Sequence, residues 1–318
     1  MADGLYALQS PVAATDTSLP LLLRDPLLAA PNNGIRFLMD AGFGFSYPGG
    51  PFVGRPAAAA PLNSTNVYDV AELSNASWVI PGGQTMLYSG GGFDFTNVNV
   101  KGVYAQIPAS VAADIWNAFG GASQRFFMCC YLKLPLLADW PQTGGINGFM
   151  SFAASNAGTG LPDIATFGMV NSGQVQAVRQ YTGGSLQGTG FTPSASAYGT
   201  LCQMAAWRTQ ANGLSMSLRS VAGGIQSSTN ASTNTDNVEN FSTRTGQVGI
   251  GTAYWPNTLN AGSNSAGAMK FRIYRAFVEN LARSGRDPVT VLDADWTRVQ
   301  ARITANAAAN GGTSTIFD

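Results

Sequence analysis

Leu201-Cys-Gln-Met-Ala-Ala-Trp-Arg-Thr-Gln-Ala-Asn-Gly-Leu-Ser-Met-Ser-Leu-Arg-Ser-Val-Ala-Gly-Gly-Ile225 is the stretch whose reading decides the fold class. Cys202, Met204 and Ala206 alternate with Gln203, Ala205 and Trp207; further on, Leu214, Met216 and Leu218 alternate with Ser215, Ser217 and Arg219. A period of two sends successive side chains to opposite faces of a strand. Ala211-Asn212-Gly213 between the runs suits a turn, because Asn and Gly tolerate positive φ. The stretch predicts a β-hairpin with one apolar face and one wet face, and Trp207 falls on the wet one.

Working outward, the same grammar recurs. Ser77-Trp-Val-Ile-Pro81, Thr85-Met-Leu-Tyr88, Gly102-Val-Tyr-Ala-Gln-Ile-Pro108, Arg125-Phe-Phe-Met-Cys-Cys-Tyr-Leu-Lys-Leu-Pro135 and Gln174-Val-Gln-Ala-Val-Arg-Gln-Tyr181 read as strands between Gly, Asn, Ser and Pro. Many short antiparallel strands at this spacing predict an all-β jelly-roll sandwich. Two short helices interrupt it. Ser110 suits the N-cap of a helix over 111–119, with Val111, Ile115 and Phe119 on one face; Asp293 or Asp295 suits the cap of a second helix running to Ala309, with Trp296, Val299 and Ile303 on one side. The polar stretch Gln226 to Asn240 reads as a long surface loop.

Residues 1–66 differ. Prolines at 11, 20, 26, 31, 48, 51, 56 and 61 interrupt any regular period. The stretch reads as an extended N-terminal arm with isolated strands such as Gly34-Ile-Arg-Phe-Leu-Met-Asp40, or equally as an irregular beginning of the same domain. Residues 67–318 form the β-sandwich domain with its C-terminal helix.

The composition removes several chemistries. There is no histidine in 318 residues, so neither a Ser-His-Asp nor a Cys-His arrangement can assemble, and the commonest zinc ligand is missing. Lys plus Arg and Asp plus Glu both number 17, which provides no field to attract nucleic acid and favours association at working pH. Glu72, Glu239 and Glu279 are the glutamates; a carboxylate glycosidase would need a pair such as Glu239 and Glu279, and no spacing singles it out. Gly90-Gly-Gly-Phe93 and Gly183-Gly-Ser-Leu-Gln-Gly188 lack the Gly-Lys-Ser/Thr ending of a phosphate loop and suit turns instead. Cys129, Cys130 and Cys202 read as buried free thiols; being adjacent on a strand, at most one of Cys129 and Cys130 can face Cys202. No cofactor, metal, membrane span or secretory leader is expected.

Phe126-Phe-Met-Cys-Cys-Tyr-Leu-Lys-Leu-Pro135, following Val103-Tyr-Ala-Gln-Ile-Pro108, resembles the early strands of concanavalin A-like or laminin G-like jelly rolls. Val248-Gly-Ile-Gly-Thr252 and Ala268-Met-Lys-Phe-Arg-Ile-Tyr-Arg-Ala-Phe-Val278 resemble that family's closing strands. The resemblance implies one such domain over residues 67–305. Functions in that family run from sugar binding through glycoside hydrolysis to structural modules; the Glu-x-Asp-x-Glu strand of its hydrolytic members is absent here. Asp293-Ala-Asp295 is the nearest approach to the acidic clusters of its calcium sites, and helix capping explains those residues as well.

The Gly/Ala/Asn/Ser/Thr-rich composition with a Pro-rich arm is similar to that of tailed-bacteriophage virion proteins such as decoration, collar and tail components. The main expectation is therefore a non-catalytic structural protein of a phage virion, made without a signal peptide. It would assemble with other virion proteins through its arm and as a homo-oligomer, a trimer by analogy. The alternative is a carbohydrate-recognition module of a virion, addressing a surface glycan of a bacterial host. For that reading Tyr254, Trp255 and Asn257 are the leading candidates and Trp207 a further one, because sugars dock on aromatic faces beside amides. Each of these aromatics also has a packing explanation.

Overall fold

Alternation along the hairpin translates into pairing in the computed structural model, which describes residues 25–28, 34–49, 59–71, 74–100, 102–117, 125–139, 146–153, 165–170, 172–181, 185–209, 213–231, 242, 244–250 and 269–318. The strands are β1 Ile35–Asp40, β2 Asn66–Val67, β3 Ala76–Val79, β4 Leu87–Ser89, β5 Gly92–Asp94, β6 Val103–Ile107, β7 Phe126–Lys133 and β8 Ile146–Ala153. They continue with β9 Ala165–Val170, β10 Val175–Tyr181, β11 Ser185–Phe191, β12 Leu201–Arg208, β13 Leu214–Ser220, β14 Gly224–Asn230, β15 Thr245–Ile250 and β16 Arg272–Asn280. The helices are α1 Ala109–Asn117, α2 Leu281–Ser284 and α3 Pro288–Ala309.

Two eight-stranded antiparallel sheets result. The first runs β14-β13-β12-β7-β16-β5-β4, with β1 also paired to β16; the second runs β11-β10-β9-β8-β15-β6-β3-β2. The protein is an all-β sandwich. In the hairpin, Cys202, Met204, Ala206, Leu214, Met216 and Leu218 all enter the core between the sheets, as their alternation predicts. Gly90 and Gly91, at φ 57° and 75°, form the two-residue β4–β5 turn, a conformation that excludes most L-residues.

The other face of β12 is not wet. The first sheet has a second core on its outer side, built from Phe127, Cys129, Tyr131, Ala205, Trp207, Tyr274 and Phe277 with Leu292 and Val299 of α3, Leu27, Leu28 and Phe317. This third layer explains why β7 is apolar at almost every position: Met128, Cys130 and Leu132 face one core, and Phe127, Cys129 and Tyr131 the other. Burying each large side chain contributes about 1.5–3 kcal/mol. Gln203, the polar member of this face, is satisfied by donating to Tyr131 Oη at 2.6 Å and the Leu292 carbonyl at 2.9 Å.

Several expectations change in detail. Within residues 1–66, β1 is hydrogen-bonded into the first sheet with Asp40 opposite Arg275. Asp287, not Asp293 or Asp295, caps α3: its carboxylate accepts from Thr290 N at 2.9 Å and Pro288 follows it. The helix begins about two turns before Trp296, and those turns bury Val291 and Leu292. Helix α1 starts at Ala109 and buries Val111 and Ile115; Phe119 lies outside the described residues. Residues 226–230 of the expected loop belong to strand β14, whose exposed edge position tolerates Ser, Thr and Asn; 232–240 lie outside the described residues.

Candidate functional site

Tyr254, Trp255 and Asn257 lie outside the described residues. Trp207 is only 9% exposed and packs edge-on against Phe127, with ring centroids 6.3 Å apart, inside the second core. The third layer removes it from the surface on which a sugar would dock. Glu279 is fully buried, and Arg286 Nε and Nη2 each meet one of its oxygens at 2.8 Å. Its expected partner Glu239 lies outside the described residues. Among the described residues, no group of three His, Cys, Asp or Glu is arranged to hold a metal, and no helix is long and apolar enough to cross a membrane.

The structure instead presents an aromatic surface that the sequence reading passed over. Val67 of β2 is buried in the sandwich core, so its neighbours Asn66 and Tyr68 project the opposite way. Tyr68 is 37% exposed and Phe45 46% exposed; their ring centroids are 6.1 Å apart, and Phe43 lies 6.2 Å beyond Phe45. Asn66, two positions before Tyr68, is exposed as well. Neighbouring exposed rings form a contiguous apolar surface of the kind that marks interaction sites, and an amide adds directional hydrogen bonding.

The backbone beneath these rings is tied down. Asp40 N donates to Ser46 Oγ at 3.0 Å, and Ser46 Oγ donates to the Tyr68 carbonyl at 2.9 Å. Tyr68 N donates to the Ser46 carbonyl at 2.8 Å, and Tyr47 N to that of Phe43 at 3.0 Å. Asp69, next in the chain, accepts from Leu38 N at 2.9 Å and Ala71 N at 2.9 Å. Phe45 and Tyr68 therefore stand on two segments that are cross-linked to each other and to β1.

Below that frame lies a buried ion cluster. Arg275 reaches Asp40 at 2.9 Å, Asp25 at 2.7 Å and Asp295 at 3.3 Å. Arg302 of α3 meets Asp40 at 2.5 Å, while Arg298 contacts Asp25 at 3.4 Å and also Asp295. Three carboxylates thus meet three guanidiniums. Burial by itself raises the Asp40 pKa, but the charges of Arg302 and Arg275 outweigh it and hold the carboxyl below its ordinary value. Asp25 is held down in the same way by Arg275 and Arg298. The i, i+3 and i+7 spacing of Asp295, Arg298 and Arg302 places them along one side of α3, a signal visible in the sequence. What that side meets was not visible. Phe43 and Phe45 carried a signal too, since Gly42-Phe-Gly-Phe45 is an aromatic pair in a Gly-rich loop, like Tyr254-Trp255.

No protein-family model matches the sequence, and no characterised protein matches it at the sequence level. Solved structures resemble it at low identity. Trypanosoma rangeli sialidase in complex with 2,3-difluorosialic acid aligns with a TM-score of 0.42 and 9% identity, over 81% of this chain and 34% of that one. The binding domain of botulinum neurotoxin serotype D aligns with a TM-score of 0.45 and 10% identity, over 78% of this chain and 48% of that one. The serotype C1 binding domain gives 0.44 and 10%, over 74% and 50%. The chain spans a third to a half of the length of these structures.

Proposed function

We propose that the protein is a non-catalytic carbohydrate-recognition module that stacks pyranose rings on Phe45 and Tyr68 and bonds their hydroxyls through Asn66. The observation that carries this reading is the pair of exposed rings on a hydrogen-bonded frame, with an amide on the same face and no charged side chain among these residues. Stacking needs ring area that is already oriented, since ordering it on binding would consume affinity. A virion structural role is motivated by composition and by an N-terminal arm, part of which is a strand of the sandwich.

The test is binding of labelled protein to a panel of polysaccharides, with free sugar as competitor. Phe45→Ala and Tyr68→Ala are each expected to weaken saturable binding about 5- to 10-fold, the worth of one stacking contact of about 1–1.5 kcal/mol. Trp255→Ala is the comparison. Loss with Trp255→Ala and retention with the other two would transfer the site to the Tyr254-Trp255-Asn257 segment. Absence of binding by the folded protein would leave a structural role as the working answer.

A further inference from the structure

At the opposite edge of the second sheet from β2, strands β10 and β11 bear a shallow, open cavity of about 200 Å³ on their surface, lined by Gln174, Gln176, Gly188, Thr189 and Gly190. Register places Gln176 opposite Gly190 and Val178 opposite Gly188, so Gln176 and the two glycines share the outer face. The two glycines have different causes. A Cβ at Gly190 would lie 2.6 Å from the Val175 carbonyl oxygen and 2.7 Å from Gln176 Cγ, so packing within the sheet demands glycine there. A Cβ at Gly188 would meet nothing nearer than 3.8 Å, and Gly188 is not among the positive-φ residues. Among the described residues nothing demands glycine at 188. A glycine in a strand interior often marks a bulge, a tight bend or a place where a ligand or another backbone approaches closely, and β11 pairs with β10 there without a bulge.

The edge of β11 itself is closed to an added strand. Asn230 Nδ2 donates to the Gly188 carbonyl at 2.8 Å, Gln187 Nε2 donates to the Asn230 carbonyl at 2.8 Å, and Thr189 Oγ1 donates to Ser228 Oγ at 2.7 Å. Side chains of β14 thus occupy the approach that an incoming peptide strand would use. Gly188 is exposed on the face of the sheet, and among the described residues nothing covers it. No charged side chain lines the cavity, which disfavours a phosphate or carboxylate ligand, while each glutamine amide both donates and accepts, as paired hydroxyls require. The volume is below that of a drug-sized pocket.

We infer that this cavity is a second binding site, which takes a single neutral sugar ring lying over Gly188 with its hydroxyls on Gln174 and Gln176. The ligand class rests on the glycan reading above; the site shares no residue with Phe45 and Tyr68. The two are separated by most of the sheet's width, roughly 30 Å at about 4.8 Å per strand.

The experiment is saturation-transfer NMR with methyl α-glucoside, methyl α-galactoside and N-acetylglucosamine on the wild type, the Phe45→Ala/Tyr68→Ala double variant, and that double variant carrying in addition Gly188→Val or Gln176→Ala. Transfer to at least one sugar is expected in the wild type and in the double variant. It should fall at least about 5-fold when Gly188→Val or Gln176→Ala is added to the double variant, at unchanged thermal midpoint for the latter. Gln176→Ala, a truncation on the outer face, carries the test if Gly188→Val fails to fold. No transfer in folded wild type, or transfer indifferent to both cavity variants, overturns the second site. Transfer already lost in the double variant also overturns it and leaves the aromatic site standing; polysaccharide binding indifferent to Phe45 and Tyr68, with transfer sensitive to Gln176, does the reverse.

Discussion

Arg275 and Asp40 stand directly opposite each other on neighbouring strands β16 and β1, with Nη1 and Oδ2 2.9 Å apart, although 235 positions separate them in the chain. The same carboxylate accepts from Arg302 of α3. One aspartate therefore joins an early strand, a late strand and the outer helix, and its own backbone N–H begins the hydrogen-bond frame that carries Phe45 and Tyr68.

Arg275→Met is expected to destabilise the protein by about 3–5 kcal/mol, because it leaves three buried carboxylates with two guanidiniums. Urea denaturation measures this from the shift in midpoint at unchanged slope. A loss under about 1 kcal/mol would mean that the carboxylates find water or protons at little cost.

The cluster also sets an acid limit. Asp25 and Asp40 are held below the ordinary value of 3.8 in the folded state, so the folded protein prefers them ionised. Their contribution is complete above the unfolded value and is lost as pH falls through the folded one. Stability should be level between about pH 5 and 7 and decline below about pH 4. A decline beginning near neutrality would point to groups other than these.

All three cysteines are free and buried. Burial pushes the thiols of Cys129 and Cys130 well above their ordinary value and that of Cys202 to about 12. Cys130 and Cys202 share the inter-sheet core but are diagonal neighbours, since Cys130 pairs with Met204 and Cys202 with Leu132. Diagonal positions stand about 7–8 Å apart, beyond comfortable disulfide reach. At about pH 8 a thiol reagent should label none of them in native protein and all three once it is unfolded. Labelling of one thiol in native protein at the rate of a free thiol would contradict this placement.

Ser46→Ala removes a buried hydroxyl that accepts from Asp40 N and donates to the Tyr68 carbonyl. A loss of about 1–3 kcal/mol in stability is expected. If the frame orients the rings, polysaccharide affinity falls in this variant although Ser46 itself is buried, while sugar contact at Gln176 is unchanged. Full affinity in Ser46→Ala would show that the rings need no such support.

The two ends of the helix question separate cleanly. Asp287→Ala should cost about 1 kcal/mol through loss of the α3 cap. Asp293→Ala should cost much less, because Asp293 is 57% exposed and pairs at the surface with Arg219. Thermal melts of the two variants decide it; equal losses would favour the cap at Asp293.

The hairpin shows how far sequence alone reaches. Alternation in Leu201–Arg208 and Leu214–Ser220 determined strand, partner and inward face, because a strand's period is a local property of the backbone and the two strands are neighbours in sequence. The antiparallel sandwich followed from repetition of that local rule. Which face was wet did not follow. Gln203, Ala205 and Trp207 read as solvent-facing, yet α3, Leu27 and Phe317 cover that surface from the far ends of the described chain. The cluster of Asp25, Asp40, Arg275, Asp295, Arg298 and Arg302, and the meeting of Phe45 with Tyr68, are likewise juxtapositions across tens to hundreds of residues. Local periodicity carries no record of such contacts, because they are selected by the complementarity of surfaces that exist only after the sheets have formed.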